Sequence, residues 1–502
     1  MTSLEEVLRD WEPVIGLEVH TALTAVRTKA FCRCPQSREG GPNAHVCPVC
    51  LGLPGALPVP NRHAVECAVM AGLALGCRIE PRAGFWRKHY FYPDMPRGYQ
   101  ITQGPVAFCM DGSLDVEMPA GSAAQRPDAP GARPDGSYGC RVRVRRIHLE
   151  EDAAKMVHVG GEEGRIAEAR ESLLDFDRCG TPLIELVTEP DLRSPEEARR
   201  FVEALRRVEL ALGISDCSLE SGSMRCDANV SVRRRGTRDL GEKTELKNLN
   251  SLRALHDALA YEVRRQADVL ARGGRVEPQT RHWEPMRRVT VALRGKESGA
   301  DYRMVPDPDL SAFQLSDGFV ERCRAMLPEL PDARRARYEA QMGLRRREAD
   351  AIASDPGLWQ LFEPACQGAP QGLAGTVAKV VVNLAPSFSA LRPEQVRGVA
   401  ELLDDGGLTF AQAREVLALV DGTDADARRT AGVHGLLQCT DEARLGSIVD
   451  AVLARCPEQV AQWRAGRTKV VGYLVGQCMR EAAGSGNPVE FRRLLELRLA
   501  SG

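Results

Sequence analysis

Two sets of residues in this chain have the types and spacing to do chemistry. The first is thiols. Cys32 and Cys34 form one close pair, Cys47 and Cys50 another, and the turn-rich stretch "PQSREGGPNAHV" separates them. Pairs on separate turns can fold back on each other and offer four thiolates to a tetrahedral Zn2+ at about 2.3 Å. Four ligands fill the shell, so such a metal would support the fold and not catalyse. A redox Cys-x-x-Cys is the rival reading, but it leaves the first pair unexplained. His45, inside the loop, reads as a solvated residue.

The second set is carboxylates beside an imidazole. In "VIGLEVH", Ile15, Leu17 and Val19 alternate with Gly16, Glu18 and His20. On a strand this sends the apolar trio to one face and Glu18 with His20 to the other. Three later segments offer partners. In "VRVRRIHLEEDAAK" the apolar phase slips near Arg145 and Arg146, which predicts a β-bulge, and Glu151 then falls on the parity of Ile147 and Leu149. Glu185 lies between Ile184 and Leu186, and Asp227 precedes an alternating run. A carboxylate in apolar company is costly unless it is paired or bound to a metal. Carboxylates with one imidazole suit Mg2+ or Mn2+, ions that also bridge to phosphate oxygens. The plain alternative is that each acid is a solvated strand-end residue or the partner of one of the many arginines.

A third stretch, "RKHYFYPDMPRGYQITQ", interleaves cations with aromatics: Lys88, His89, Tyr90, Tyr92, Arg97 and Tyr99. Such side chains suit base stacking and phosphate contact; a Tyr-rich loop packed on the core would read the same way. There is no phosphate loop of the G-x-x-x-x-G-K-[S/T] type, no kinase Gly-rich loop and no Gly-x-Ser-x-Gly elbow. Any ATP phosphates must therefore be held by metal and side-chain cations.

The elements that position these residues come from texture. The 502 residues, 43% hydrophobic and 27% charged with net charge −2, fit a soluble chain of several cores with no overall pull toward polyanions. No apolar run approaches the roughly 20 residues of a membrane span, and the acidic N-terminus lacks a signal pattern, so a cytoplasmic protein is expected. Most of the sixteen cysteines read as small buried hydrophobes. Residues 1–310 mix short alternating runs with Gly/Pro turns, an α+β texture, while residues 311–430 and 431–502 read as a helical domain and a small helical tail. "SPEEARRFVEALRRVELALG" predicts a helix capped by Ser194 and ended by Gly213. A second helix is expected from about Leu252 to Leu270. The stretch from Asp111, rich in Pro, Gly and Ala in its second half, reads as a surface loop between strands.

Taken in order, "VIGLEVH", "CPVCLGLPGALPVPN", "YFYPDMPRGYQITQ", "IHLEEDAAK", "GTPLIELVTEPDLRSPEEA", "GSMRCDANVSVR", "TELKNLNS" and "VGYLVGQCMREAAGSGNP" closely resemble the B subunit of the tRNA-dependent amidotransferase family, over essentially the whole chain. The resemblance implies an N-terminal β-rich cradle that uses ATP to phosphorylate the side-chain carboxylate of Glu-tRNA(Gln) or Asp-tRNA(Asn), which ammonia then amidates. It implies Mg2+ held by His20, Glu151 and Glu185, with Glu18 and Asp227 as second-site or outer acids and Glu150 as a further candidate. It places structural Zn2+ on Cys32, Cys34, Cys47 and Cys50, and makes Lys88, Tyr90 and Arg97 contacts to nucleotide or to the tRNA 3′ end. The amidase signature is absent here, so the resemblance implies a glutaminase A subunit and a small C subunit as partners, with a channel for ammonia. Two rival readings are a non-catalytic zinc-containing tRNA-binding protein and a free-standing ATP-dependent ligase. The chain departs from the family pattern at Ala483–Pro488, where the family's tail often carries lysines, at Met304 and Val305, and in the long insertion after Asp111.

Overall fold

The computed structural model describes residues 3–501 apart from 38, 125, 127, 161–168, 296–301, 371, 439, 440 and 483–485. Its strands are β1 (Trp11–Ala22), β2 (Arg78–Ile79), β3 (Arg82–Ala83), β4 (Phe85–His89), β5 (Tyr99–Gln103), β6 (Cys109–Met118), β7 (Tyr138–Glu151), β8 (Lys155–Val159), β9 (Glu171–Asp175), β10 (Pro182–Thr188), β11 (Met224–Arg234), β12 (Thr244–Lys247), β13 (Gln279–Glu284), β14 (Val289–Gly295), β15 (Val305–Pro306) and β16 (Phe313–Gln314). Nine of them form one sheet in the order β14-β13-β12-β11-β1-β10-β7-β6-β2. The β12–β13 pair is parallel and every other neighbouring pair is antiparallel.

Alternation sorts the two faces of this sheet. Ile15, Leu17 and Val19 of β1 are at most 1% exposed and join Val142, Val144, Ile147, Leu149, Ile184, Leu186, Cys226 and Val230 in one core. Helices Arg62–Ala74, Pro195–Leu212 and Leu252–Ala271 pack onto that core through Ala68, Phe201, Leu205, Leu259 and Val263. The second helix begins where its sequence says it should. Ser194 accepts a hydrogen bond from the Glu197 amide, Pro195 occupies the first turn, and Gly213 ends it in the left-handed region at φ 67°. The third is capped by Ser251. The bulge falls at the expected point of β7: Val187 pairs with Arg146 and Thr188 with Val144, leaving Arg145 extra.

The stretch from Asp111 departs from its expected form. It begins as strand, because Leu114, Val116 and Met118 alternate inward on β6, which runs to Met118. Asp227 lies within β11 and does not precede it.

The chain divides into two compact units, Met1–Leu330 and Pro331–Gly502. The first runs past residue 310 because Leu310, Leu315 and Cys323 belong to its core. The second is helical, with one hydrophobic cluster over Tyr338–Ala431 and another over Leu445–Leu499. Its last two helices are Val471–Glu481 and Pro488–Ser501. Of the turn at Ala483–Pro488, residues 483–485 lie outside the described residues. Among the described residues no helix is long and apolar enough to cross a membrane.

Candidate active site and thiol centre

Register builds the acidic site. On the sheet face away from the helices, His20 of β1 stands opposite Glu185 of β10, and Glu185 stands opposite His148 of β7. On the other side of β1, Glu18 stands opposite Asp227 of β11. Directly opposed residues have neighbouring side chains. Glu18, His20 and Glu185 each offer a ligand atom, and these atoms lie within 4.8 Å of one another. His20 Nε2 is 3.7 Å from Glu18 Oε1 and 3.6 Å from Glu150 Oε1. Glu150 is buried, and its other oxygen accepts a hydrogen bond from Thr102 Oγ1 at 3.0 Å.

The electrostatics follow from crowding. Burial, reinforced by the charge of Glu185, pushes the Glu150 carboxyl up to about 7. Burial, then Glu185 and Asp227, raises Glu18 as well. Burial acts upward on Glu185 too, but His148 at 3.7 Å, with His20 and Lys88, outweighs it and holds Glu185 at about 2. The field of Lys88 reaches Glu18, Glu150 and Glu185, and its Nζ lies 5.0 Å over the Tyr302 ring. Glu18, Glu150 and Glu185 gather around His20, with His148 behind Glu185, and form a set of hard donors. A hard divalent cation such as Mg2+ fits that donor set.

Not every expected residue joins this group. Neighbours on a strand point to opposite faces. Glu150 therefore turns to His20, while Glu151, 1% exposed, turns away. The Glu151 carboxylate is held by the Arg97 guanidinium and accepts a hydrogen bond from the Ile101 amide at 3.0 Å. The structure does not bring it to Glu18, His20 and Glu185. Arg97 is committed to this buried pair and lies 5.5 Å over the Tyr99 ring. Asp227 is paired with Lys247 Nζ at 2.8 Å. Tyr90 packs at 6.0 Å from Tyr92, and burial with the nearby acids Asp94, Glu150, Glu151 and Asp152 raises its phenol. His148 is a site residue that the sequence reading misses. The signal that could find it is parity, since it stands two residues before Glu150 on the same strand.

The thiol centre is built from the loop that follows β1. The sulfurs of Cys32, Cys34, Cys47 and Cys50 are within 4.8 Å of one another, so the cluster could bind zinc. The Cys47 amide donates to Cys50 Sγ at 3.1 Å. Hydrogen bonding from Cys32 above all pulls Cys50 down to about 4, whereas Cys32 is raised by that same bond and burial pushes Cys34 up to about 11. One thiolate is thus already favoured, and soft sulfur donors at this spacing suit Zn2+. His45 stays out of the cluster, its ring meeting the Glu39 carbonyl at 2.8 Å.

The family described as the GatB/GatE catalytic domain covers residues 13–321, and the GatB domain covers residues 370–499. The chain belongs to this family. Its relatives include proteins named as the B subunit of aspartyl/glutamyl-tRNA(Asn/Gln) amidotransferase. Those of Thermomicrobium roseum, Moorella thermoacetica and Carboxydothermus hydrogenoformans are 44%, 43% and 41% identical to it, over 97%, 98% and 98% of this chain and 98%, 100% and 100% of theirs.

Proposed function

We propose that this chain is the component of a tRNA-dependent amidotransferase that activates and amidates the side-chain carboxylate of Glu-tRNA(Gln) and Asp-tRNA(Asn). The observation that carries the proposal is the convergence of Glu18, His20 and Glu185 within 4.8 Å on one sheet face, beside Glu150 and in the field of Lys88. A carboxylate is a poor electrophile, because its leaving group would be oxide. Transfer of the ATP γ-phosphoryl group to it supplies a good leaving group. Ammonia then attacks the carbonyl carbon, the C–O bond to phosphate breaks, and the amide forms.

His20, Glu18 and Glu185 would hold Mg2+, with Glu150 beside them in the place expected of Glu151. When bound, the cation neutralises phosphate charge and aligns the transfer. Lys88 adds a fixed positive charge at the same face. Tyr90 walls the site, and Arg97 with Glu151 fixes β5 against the end of β7. Asp227, tied to Lys247, acts from outside the ligand set. The four cysteines hold a structural Zn2+. Ammonia comes from a glutaminase A subunit joined through a small C subunit, because free ammonia in neutral water is mostly protonated and no longer nucleophilic.

Oxygen tracing tests the reaction. With 18O in the side-chain carboxylate of Glu-tRNA(Gln), one label should appear in inorganic phosphate for each amide formed. Amide formation with unlabelled phosphate would refute carboxylate phosphorylation.

A further inference from the structure

Lys29 has no place in the chemistry above, yet it is 0% exposed. Its Nζ sits 3.6 Å from Cys50 Sγ and donates to the Phe176 carbonyl at 3.0 Å. A lysine is almost never fully buried without a partner for its charge. We propose that Lys29 is a positioning residue that offsets the charge of the four-thiolate metal centre and links its occupancy to the strand end carrying Glu150 and Glu151. The inference rests on the reading of the four cysteines as a zinc site.

Charge is the first argument. Four thiolates around Zn2+ carry a formal charge of about −2, and a partly buried anion of that size is unfavourable without a compensating cation. Lys29, fully buried with its Nζ 3.6 Å from Cys50 Sγ, places a cation against that charge.

Connectivity is the second. The Phe176–Thr181 segment is gripped from both sides. On the thiol side, the Ala30 amide donates to Gly180 O at 2.7 Å, Cys179 Sγ donates to Cys50 O at 3.5 Å, and the His45 amide donates to Asp177 Oδ1 at 2.7 Å. On the catalytic side, the Gly180 amide donates to Asp152 O at 2.9 Å and the Asp152 amide to Thr181 O at 2.8 Å. Arg178 ties the segment to the carbonyls of Ala153 and Ala154 at 3.0 and 2.8 Å. Gly180, at φ +84°, lies between the two sides: a Cβ there would sit 3.4 Å from Lys29 Cδ and 3.8 Å from Glu151 Oε2. Only a glycine holds that left-handed turn without strain. Lys29 therefore bonds at once to the metal knuckle and to the segment that sets the end of β7.

The test uses the full-length chain. Zinc affinity is measured by competition with a chromophoric chelator in wild type, Lys29→Met and Lys29→Arg, with amide hydrogen exchange on the zinc-loaded proteins. Lys29→Met should bind zinc about 10- to 100-fold more weakly, and Lys29→Arg should recover part of that loss. Exchange at Asp152 and Gly180 should quicken in Lys29→Met. A folded Lys29→Met with wild-type zinc affinity overturns the proposal, as does a Lys29→Arg no better than Met. If Lys29→Met does not fold, wild type stripped of zinc decides: faster exchange at Asp152 and Gly180 supports the link, and faster exchange confined to residues 32–50 overturns it. A wild-type protein that binds no zinc would instead overturn the zinc reading itself, and the inference with it.

Discussion

Glu209 gives a pH dependence that can be worked through from the structure. It lies on helix Pro195–Leu212, is 2% exposed, and accepts a hydrogen bond from Thr21 Oγ1 at 2.9 Å with Cys217 Sγ 3.6 Å away. Burial outweighs both contacts and pushes its carboxyl up to about 7, from an ordinary 4.5. The folded state then holds this proton more tightly than the unfolded state. Its contribution to stability is complete below about pH 4.5, falls as pH rises through the window from 4.5 to 7, and is level above it. At about 1.4 kcal/mol per unit of pKa, the loss is about 3 kcal/mol. Glu209→Gln keeps an oxygen acceptor for Thr21 and removes the titration. Urea unfolding of the two proteins at pH 5 and pH 8 isolates the term, because every other titrating group is common to both. The wild type should lose about 2.5 kcal/mol relative to the variant between these pH values, most of the full window. Parallel behaviour of the two proteins would refute the reasoning, and a wild type that gains stability would reverse its sign.

Three further outcomes are expected. Glu197, fully buried, accepts hydrogen bonds from Arg126 Nη1, Tyr138 Oη and the Arg193 amide at 2.9, 2.7 and 2.6 Å, so Glu197→Ala should cost about 3–5 kcal/mol in denaturant unfolding. Gly52 has φ +66°, and a Cβ there would run into Arg97 Cγ. Gly52→Ala should therefore disturb the Arg97–Glu151 pair and lower amidation, measured with ammonium chloride as donor, while leaving zinc content intact. Cys47→Ser should abolish binding of about one equivalent of zinc, read by metal analysis; unchanged zinc would refute the four-thiol site.

Much of this architecture is legible in local pattern. The face carrying Glu18 and His20, the slip at Arg145, the caps Ser194 and Gly213 and the thiol pairs are all read from residues near one another in sequence. The assignment of Glu150 and Glu151 is also within reach of local pattern. After the slip, Ile147 and Leu149 face the helices, so parity puts Glu150 beside His20 and sends Glu151 the other way. An acid among apolar residues suggests a metal, but the burial of Glu151 is answered by Arg97, 54 residues earlier. That pairing depends on where the β4–β5 hairpin lands, which no local pattern states. Parity puts His148 on the face of Glu150, but its pairing with Glu185 depends on register between strands, as does the parallel β12–β13 pair, joined through a long helix.

The central claim is that the Glu18–His20–Glu185 face performs the activation step. The most direct measurement is amidation of Glu-tRNA(Gln) with ammonium chloride as donor, by the complex carrying Glu185→Gln. Amide formation should fall by about 100-fold or more, with tRNA binding and zinc content unchanged. Full amidation by that variant would contradict the account.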